Sequence, residues 1–492
     1  MPKAKTKPKN TLQLRLYCHG LGDCNLIGVP DSEGGTFWIL IDCGIHTSAS
    51  GGTQRIRSVV DDIFALTPRL DVVVGTHEHW DHISGFLQAD DLFGKFDIGE
   101  IWFGWTENPA DAMARKLDKF KGDALAALVN TALRLDGDTR YGADAAQIDS
   151  MMGFMFGLKG ERVRDAREKL RGLSATVRHL EPGTIAPLPD KAKAVKVYVL
   201  APPRNEALLG INDSKTQTYS AAGGASPLAT SLQNSMALEA GTMRLKDDPL
   251  APFEEVAGIR LTTVFNGKPS DDYRVTPGRA FLSEHYAGPA LVDPNDKYPD
   301  APKADQQWRR IDSDWLGAGS DLALQLDART NNTSLVLAIE IVATKKVLIF
   351  AADAQVGNWQ SWAGVDFAAD GTKGADLLKR TVFYKVGHHG SRNATLSENG
   401  LELMNSPELT AFIPTDEVMA KKVGWSDIPA VKLLDRLKQK TGGRVIQSDA
   451  DWIQEVGHEI AIKNGGSIKG LTLKRGSGAK FEGAPYIELQ IG

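Results

Sequence analysis

The chain has 492 residues, of which 42% are hydrophobic and 24% charged, with a net charge of −5. That balance is globular, excludes a largely disordered chain, and suits one large domain or two. No uncharged apolar run approaches the roughly 20 residues of a membrane span, and the intermixed charges leave no basic stripe for a polyanion.

The first ten residues, MPKAKTKPKN, carry four lysines with no apolar run behind them, so a disordered basic arm on a cytoplasmic protein is expected instead of an export signal. Three cysteines, Cys18, Cys24 and Cys43, are too few for a disulfide framework and fit packing in a reducing compartment.

The segments 12–17, 24–29 and 37–42 are short β-rich runs between turn formers and predict an opening meander. Residues 55–66 place Ile56, Val59, Val60 and Ile63 at helical spacing, and 71–76 (DVVVGT) is a buried strand ending in a Thr-His turn. Strand, helix, strand implies a layered α/β architecture. From 107 to 180 the pattern is helical in three stretches, with few strand signals until 195–203. From 205 to about 327 turn formers dominate. Regular strands return at 334–342 and 346–353, followed by a helix near 373–380, TVFYKVG, LTAFIPT, a helix from Pro429 to Lys440, and RVIQSD.

This organisation predicts a core domain in pieces: 11–104, a single strand at 194–204, and 331–460. Between the pieces lie a helical insertion at 105–193, read as a cap, and an irregular one at 205–330, read as a lid; a C-terminal β extension follows at 461–492.

The chemistry concentrates in THEHWDHISGF, where His77, His79 and His82 fall within six residues, with Asp81 among them, directly after an apolar strand. Imidazole and carboxylate donors suit divalent ions such as zinc or manganese. The two-residue step from His77 to His79 can chelate one ion, leaving Asp81 and His82 for a second. The plain alternative, a helix N-terminus that Asp81 merely caps, would leave three histidines unexplained. Neither a Gly-x-Ser-x-Gly elbow nor a Gly-Lys-Ser/Thr phosphate loop is present, so serine hydrolysis and nucleotide-motor activity lack support.

The His-x-His-x-Asp-His run resembles the signature of the metallo-β-lactamase superfamily. The resemblance implies an αββα sandwich with a site for two divalent metal ions, zinc in the first place and manganese in the second. It makes Asp42, in LIDCG, a partner that orients the metal histidines, and Asp353, at the end of KVLIFAAD, the bridging aspartate. It puts the last histidine ligand at His388 or His389 in HHGS. More narrowly, the chain is similar to the ComEC-like competence-protein type through GLGDCNLI, YVLAPP, NNTSLVL, FAAD and KVGHHGS. It departs from that type in having Ala352 where glycine is common, and in the size of both insertions.

Many superfamily members place a third histidine for the first ion between the motif and the bridging aspartate. Here only His179 and His285 lie in that interval. His179 reads as the end of a helix, and His285 as a loop or pocket residue. The competence type suggests that the turn holding Asn331 and Asn332 approaches the metals instead. Asp23 and His46 lie on loops that this fold brings to the active face, and Ser391 and Arg392 could contact an anionic substrate.

The expected activity is hydrolysis by a metal-activated water, with Asp81 or Asp353 holding that water, on a phosphodiester or related phosphoester. The substrate would be a small molecule, a nucleotide or single-stranded nucleic acid, with no membrane partner. Two alternatives stand beside it. One is hydrolysis of a carboxylic ester, amide or lactam on the same metals; the other is a binding or regulatory module that meets a protein partner through the insertions and keeps a structural or vestigial metal site.

Overall fold

The computed structural model describes residues 11–136, 161–211, 318–422, 425 and 427–449, together with 461–462, 466–467, 471–474 and 485–492. The basic arm, most of the irregular insertion and His285 lie outside the described residues. The described residues up to Leu125, from 161 to 211 and from Leu324 onward belong to one compact unit, which holds the site discussed below.

The meander forms as expected. Strands β1 (Leu12–Tyr17), β2 (Cys24–Pro30) and β3 (Thr36–Cys43) pair antiparallel in sequence order. Helix α1 (Gly52–Leu66) then buries Ile56, Val59, Val60 and Ile63, the single stripe that their spacing predicts. It returns the chain to β4 (Arg69–Val74), which runs parallel to β3. Helix α2 (Trp80–Gln88) and β5 (Asp97–Gly104) extend the same logic, with β5 parallel to β4.

Two differences from the sequence reading follow. Gly172 to Ser174 end the preceding helix, and Val177–Leu180 then adds as strand β6 to the open edge of β5, satisfying that edge's backbone groups. His179 is therefore a strand residue and not a helix terminus. The two helical stretches before Asp136 are one continuous helix, α3 (Ala112–Asp136), which passes through Gly122. A side chain at Gly122 would start 2.9 Å from the Arg164 guanidinium on helix α4 (Glu161–Arg171), so glycine serves a close approach there and not a break.

The second sheet consists of β7 (Val195–Ala201), β8 (Val336–Ile341), β9 (Val347–Phe350), β10 (Thr381–Lys385), β11 (Thr410–Ile413) and β12 (Val445–Gln447), in that spatial order. Helix α5 (Ala318–Asn331) leads into β8, so regular structure begins earlier than the turn-rich composition suggested. Alanine, leucine and glutamine are good helix formers and account for it. Strands β13 (Leu471–Lys474) and β14 (Tyr486–Ile491) complete the first sheet, β14 pairing with β1.

The two sheets share one core. Leu12, Leu14 and Leu16 of β1 meet Val195 and Val197 of β7, and Leu337 and Ile339 of β8, all essentially inaccessible. The alternate residues Val336 and Ala338 face the other way, into a second cluster with Trp359, Trp362 and Leu377. Strict alternation along β8 thus sorts its side chains between the sheet-sheet core and a helical outer layer. This is the expected α/β sandwich, with helices outside two facing sheets. No helix among the described residues is long and apolar enough to cross a membrane.

Candidate metal centre

The centre is built where β4 ends. Thr76 donates to Asp42 twice, from its backbone N–H (2.9 Å) and its hydroxyl (2.7 Å), while its carbonyl accepts from Leu335 (2.9 Å). The turn that follows is thereby fixed from both sheets. His77 and His79 lie on it, and His79 is the N-cap residue of α2, in extended conformation. Asp81 and His82 occupy the first turn of that helix. The Asp81 carboxylate caps nothing: Oδ2 lies 2.8 Å from His389 Nε2, and Oδ1 is buried without a hydrogen-bond partner.

Close backbone approach makes this possible. A side chain at Gly44 would start 2.3 Å from the Asp81 carbonyl carbon and 2.4 Å from the His82 nitrogen. Only glycine lets the end of β3 pass so near the first turn of α2. Asp42, two residues earlier, sits at a φ of 58° and turns its carboxylate toward that helix.

Potential ligand atoms among the described residues fall into three groups, each within 4.8 Å mutual distance: Asp23, Asp42 and His82 behind the centre, and at the centre two that overlap, Asp81, His82, Asp353 and His389, and His77, His79 and Asp353. This is the division that the spacing of the motif suggested, with Asp353 in both. His82 Nε2 lies 3.1 Å from Asp353 Oδ2, and its Nδ1 donates to Asp42 at 2.8 Å. Asp42 therefore fixes the ring and its tautomer, as carboxylates behind metal histidines do. His389 is oriented in the same manner by the Pro414 carbonyl, 2.7 Å from Nδ1.

The two candidates in HHGS separate. His389 turns its Nε2 into the cluster. His388 directs Nδ1 to the Ser391 hydroxyl (2.8 Å) and the Gln355 amide (3.3 Å), and contributes to the centre through its backbone N–H, which donates to Asp353 at 2.9 Å. Both residues have positive φ, as does Gly390, so the turn is left-handed throughout.

Burial and neighbouring charge together set the protonation of these groups. It pushes His77 well below the ordinary histidine range and His79 down to about 3, so both present neutral rings. For His82 burial acts downward too, but Asp353, Asp81, Asp23 and Asp42 outweigh it and hold the ring well above its usual value. Asp81 lies near 2 because His82 and His389 overcome the desolvation of its carboxylate.

A pair of divalent ions fits this donor set. His77 Nε2, Asp81 Oδ1, His82 Nε2 and Asp353 Oδ2 are all buried without a hydrogen-bond partner, which is costly unless something else occupies them. The donors are nitrogen and oxygen only, the set taken by zinc and manganese.

The remaining expected residues divide. Asp23 lies behind the centre, 3.6 Å from His82 Nδ1, in an ion pair with Lys385. His46 is buried, its Nδ1 accepting from Ser48, with its ring edge-on to Trp425. Asn332 is held by the scaffold: its amide donates to the carbonyls of Leu209 and Ile211, and its oxygen accepts from Asn358. Asn331 donates to Asp327. Ser391 supports His388, and Arg392 is exposed. His179 stacks on Phe103 beside Arg171.

Sequence reasoning missed three groups. Lys385, a lone charge ending an apolar strand, is 1% exposed and donates to the Ala352 carbonyl at 3.1 Å; its position in TVFYKVG was the available signal. Glu78, between His77 and His79, joins a buried ionic knot with Lys121 of α3, Arg167 of α4 and Glu107, tying the motif to the helical segment. Asp327, on α5, lies 3.9 Å from His79, and nothing in the sequence distinguishes it from other helical acids.

No protein of curated function matches the chain. Residues 20–95, which carry Asp23, Asp42 and the whole histidine motif, match the family model of the metallo-beta-lactamase superfamily, whose members are generally metal-dependent hydrolases and whose fold is the sandwich described above.

Proposed function

We propose that this protein is a metal-dependent hydrolase that attacks its substrate with an activated water, and that the substrate is a phosphodiester or a related phosphoester. The observation that carries the reading is the pair of ligand groups sharing Asp353, with unsatisfied buried donors in each. One ion would be held by Asp81, His82, Asp353 and His389, the other by His77, His79 and Asp353. Zinc or manganese bound there supplies Lewis acidity and brings the pKa of a water toward neutrality.

The protein's own part is positioning and proton handling. The six side chains are 2% exposed or less, so bulk water is excluded and charge acts strongly. Asp42, the Pro414 carbonyl and the His388 amide hold His82, His389 and Asp353 in place. Either Asp81 or Asp353 orients the attacking water and takes up its proton. Two divalent cations suit the charge that builds on phosphoryl oxygens, and the similarity to the competence type points the same way.

A chromogenic panel tests this: bis-p-nitrophenyl phosphate, nitrocefin and a thioester, each with added zinc or manganese. Turnover of the phosphodiester, abolished in Asp353→Asn, is expected. Turnover of nitrocefin or the thioester alone would replace the phosphoester reading, and normal activity in Asp353→Asn would refute the mechanism.

A further inference from the structure

We propose that Asp327 is a protein ligand of the ion held by His77 and His79, so that helix α5 completes this site with a carboxylate. The proposal rests on the reading of the centre as a metal site.

The group His77, His79 and Asp353 offers three protein donors, one of them shared, whereas the neighbouring group offers four. The histidine that would make up the difference is not found among the described residues: His179 is occupied at Phe103 and Arg171. What approaches instead is Asp327, with Oδ1 3.9 Å from His79 Nε2. Two donors about 2.1 Å from one ion stand roughly 3.4 Å apart at the tetrahedral angle and about 4.2 Å apart when opposite, so this separation fits two ligands of one ion.

The surroundings of Asp327 give a second reason. The residue is 8% exposed, and His79 is its one ion-pair contact among the described residues. Its neighbours are further carboxylates, Asp353 and Asp81, and the neutral amides of Asn331 and Gln355. A carboxyl group buried among carboxylates, with no Lys or Arg paired to it, stays ionised only where a cation meets it. Asn331 Nδ2 donates to Oδ1 at 3.1 Å and aligns the group, while the Asn331 oxygen is buried without a partner. Asp327 stands outside the tight 4.8 Å group, so coordination would require its carboxylate to turn inward.

The test is titration of the metal-free full-length protein with zinc alone against a competing chelator, for wild type, Asp327→Asn and Asp327→His. Wild type should take two equivalents. Asp327→Asn, isosteric and uncharged, should keep one at wild-type affinity and bind the other on the order of 100-fold more weakly. Asp327→His should recover the second equivalent, and its cobalt-substituted form should show shifted visible bands as nitrogen replaces oxygen. Two equivalents at unchanged affinity in Asp327→Asn would overturn this proposal and leave the metal reading intact. Wild type that takes up no zinc would remove both. Should Asp327→Asn not fold, the cobalt spectra decide, and identical bands in wild type and Asp327→His would overturn the proposal.

Discussion

His389 Nε2 and Asp81 Oδ2 lie 2.8 Å apart, although 308 positions separate them in the chain. The contact joins the turn after β10 to the first turn of α2, and so closes one candidate metal group from the two sheets. His388, its neighbour in sequence, faces Ser391 and Gln355. The adjacent histidines should therefore differ sharply on substitution. His389→Ala is expected to lower metal affinity and turnover by at least about 100-fold, and His388→Ala by less than about tenfold. Paired metal titration and kinetics check this, and equal losses would contradict the assignment.

Ala352 has a φ of 48°, a left-handed backbone that disfavours any residue with a Cβ. Ala352→Gly should relieve that strain and raise the unfolding free energy by about 0.5–1 kcal/mol, less the added freedom of the unfolded chain. Denaturant unfolding measures it. A loss of stability would show that the methyl group contributes packing that outweighs the strain.

Gly44 carries the opposite expectation. Its ideal Cβ position overlaps backbone atoms of Asp81 and His82, which cannot move aside as a flexible side chain would. Gly44→Ala should destabilise the protein by roughly 2–4 kcal/mol and displace the first turn of α2, weakening metal binding with no ligand removed. A stable variant with wild-type metal affinity would mean that the two segments can separate freely.

His46 supplies a pH dependence. Burial holds it down to about 4, and its Nδ1 accepts the Ser48 N–H, which only an unprotonated nitrogen can do. The unfolded chain takes up a proton as pH falls below about 6.5, while the folded chain waits until about 4. The stabilisation is complete above about 6.5 and is lost as pH falls toward 4. In chelator, moving from about pH 7 to pH 5 should cost wild type about 2 kcal/mol more than His46→Gln. Parallel pH profiles for the two would contradict the shift.

The strands and the core helix were legible because their signal is local. Alternation in β1 and the spacing of Ile56, Val59, Val60 and Ile63 state which face is buried, and the core follows. The histidine cluster was legible because its donors are contiguous. Strand β6 was not, since Val177–Leu180 is a strand only by virtue of the β5 edge beside it, a relationship that four residues cannot display. Choosing between His388 and His389 needed the left-handed turn, and Asp327 needed the packing of α5. Both are tertiary facts, decided by which backbone lies alongside. Asn331 and Asn332 show the same limit: adjacent and chemically identical, one lies beside Asp327 and the other is absorbed by the carbonyls of Leu209 and Ile211.

The central claim is that His77, His79, Asp81, His82, Asp353 and His389 hold catalytic divalent ions. Elemental analysis of purified protein, run beside bis-p-nitrophenyl phosphate turnover for wild type, His79→Ala and Asp353→Ala, tests it most directly. Close to two equivalents of metal per chain with turnover in wild type, and loss of both in the variants, is the predicted result. A wild-type protein that stays metal-free and inert after incubation with zinc or manganese would contradict it.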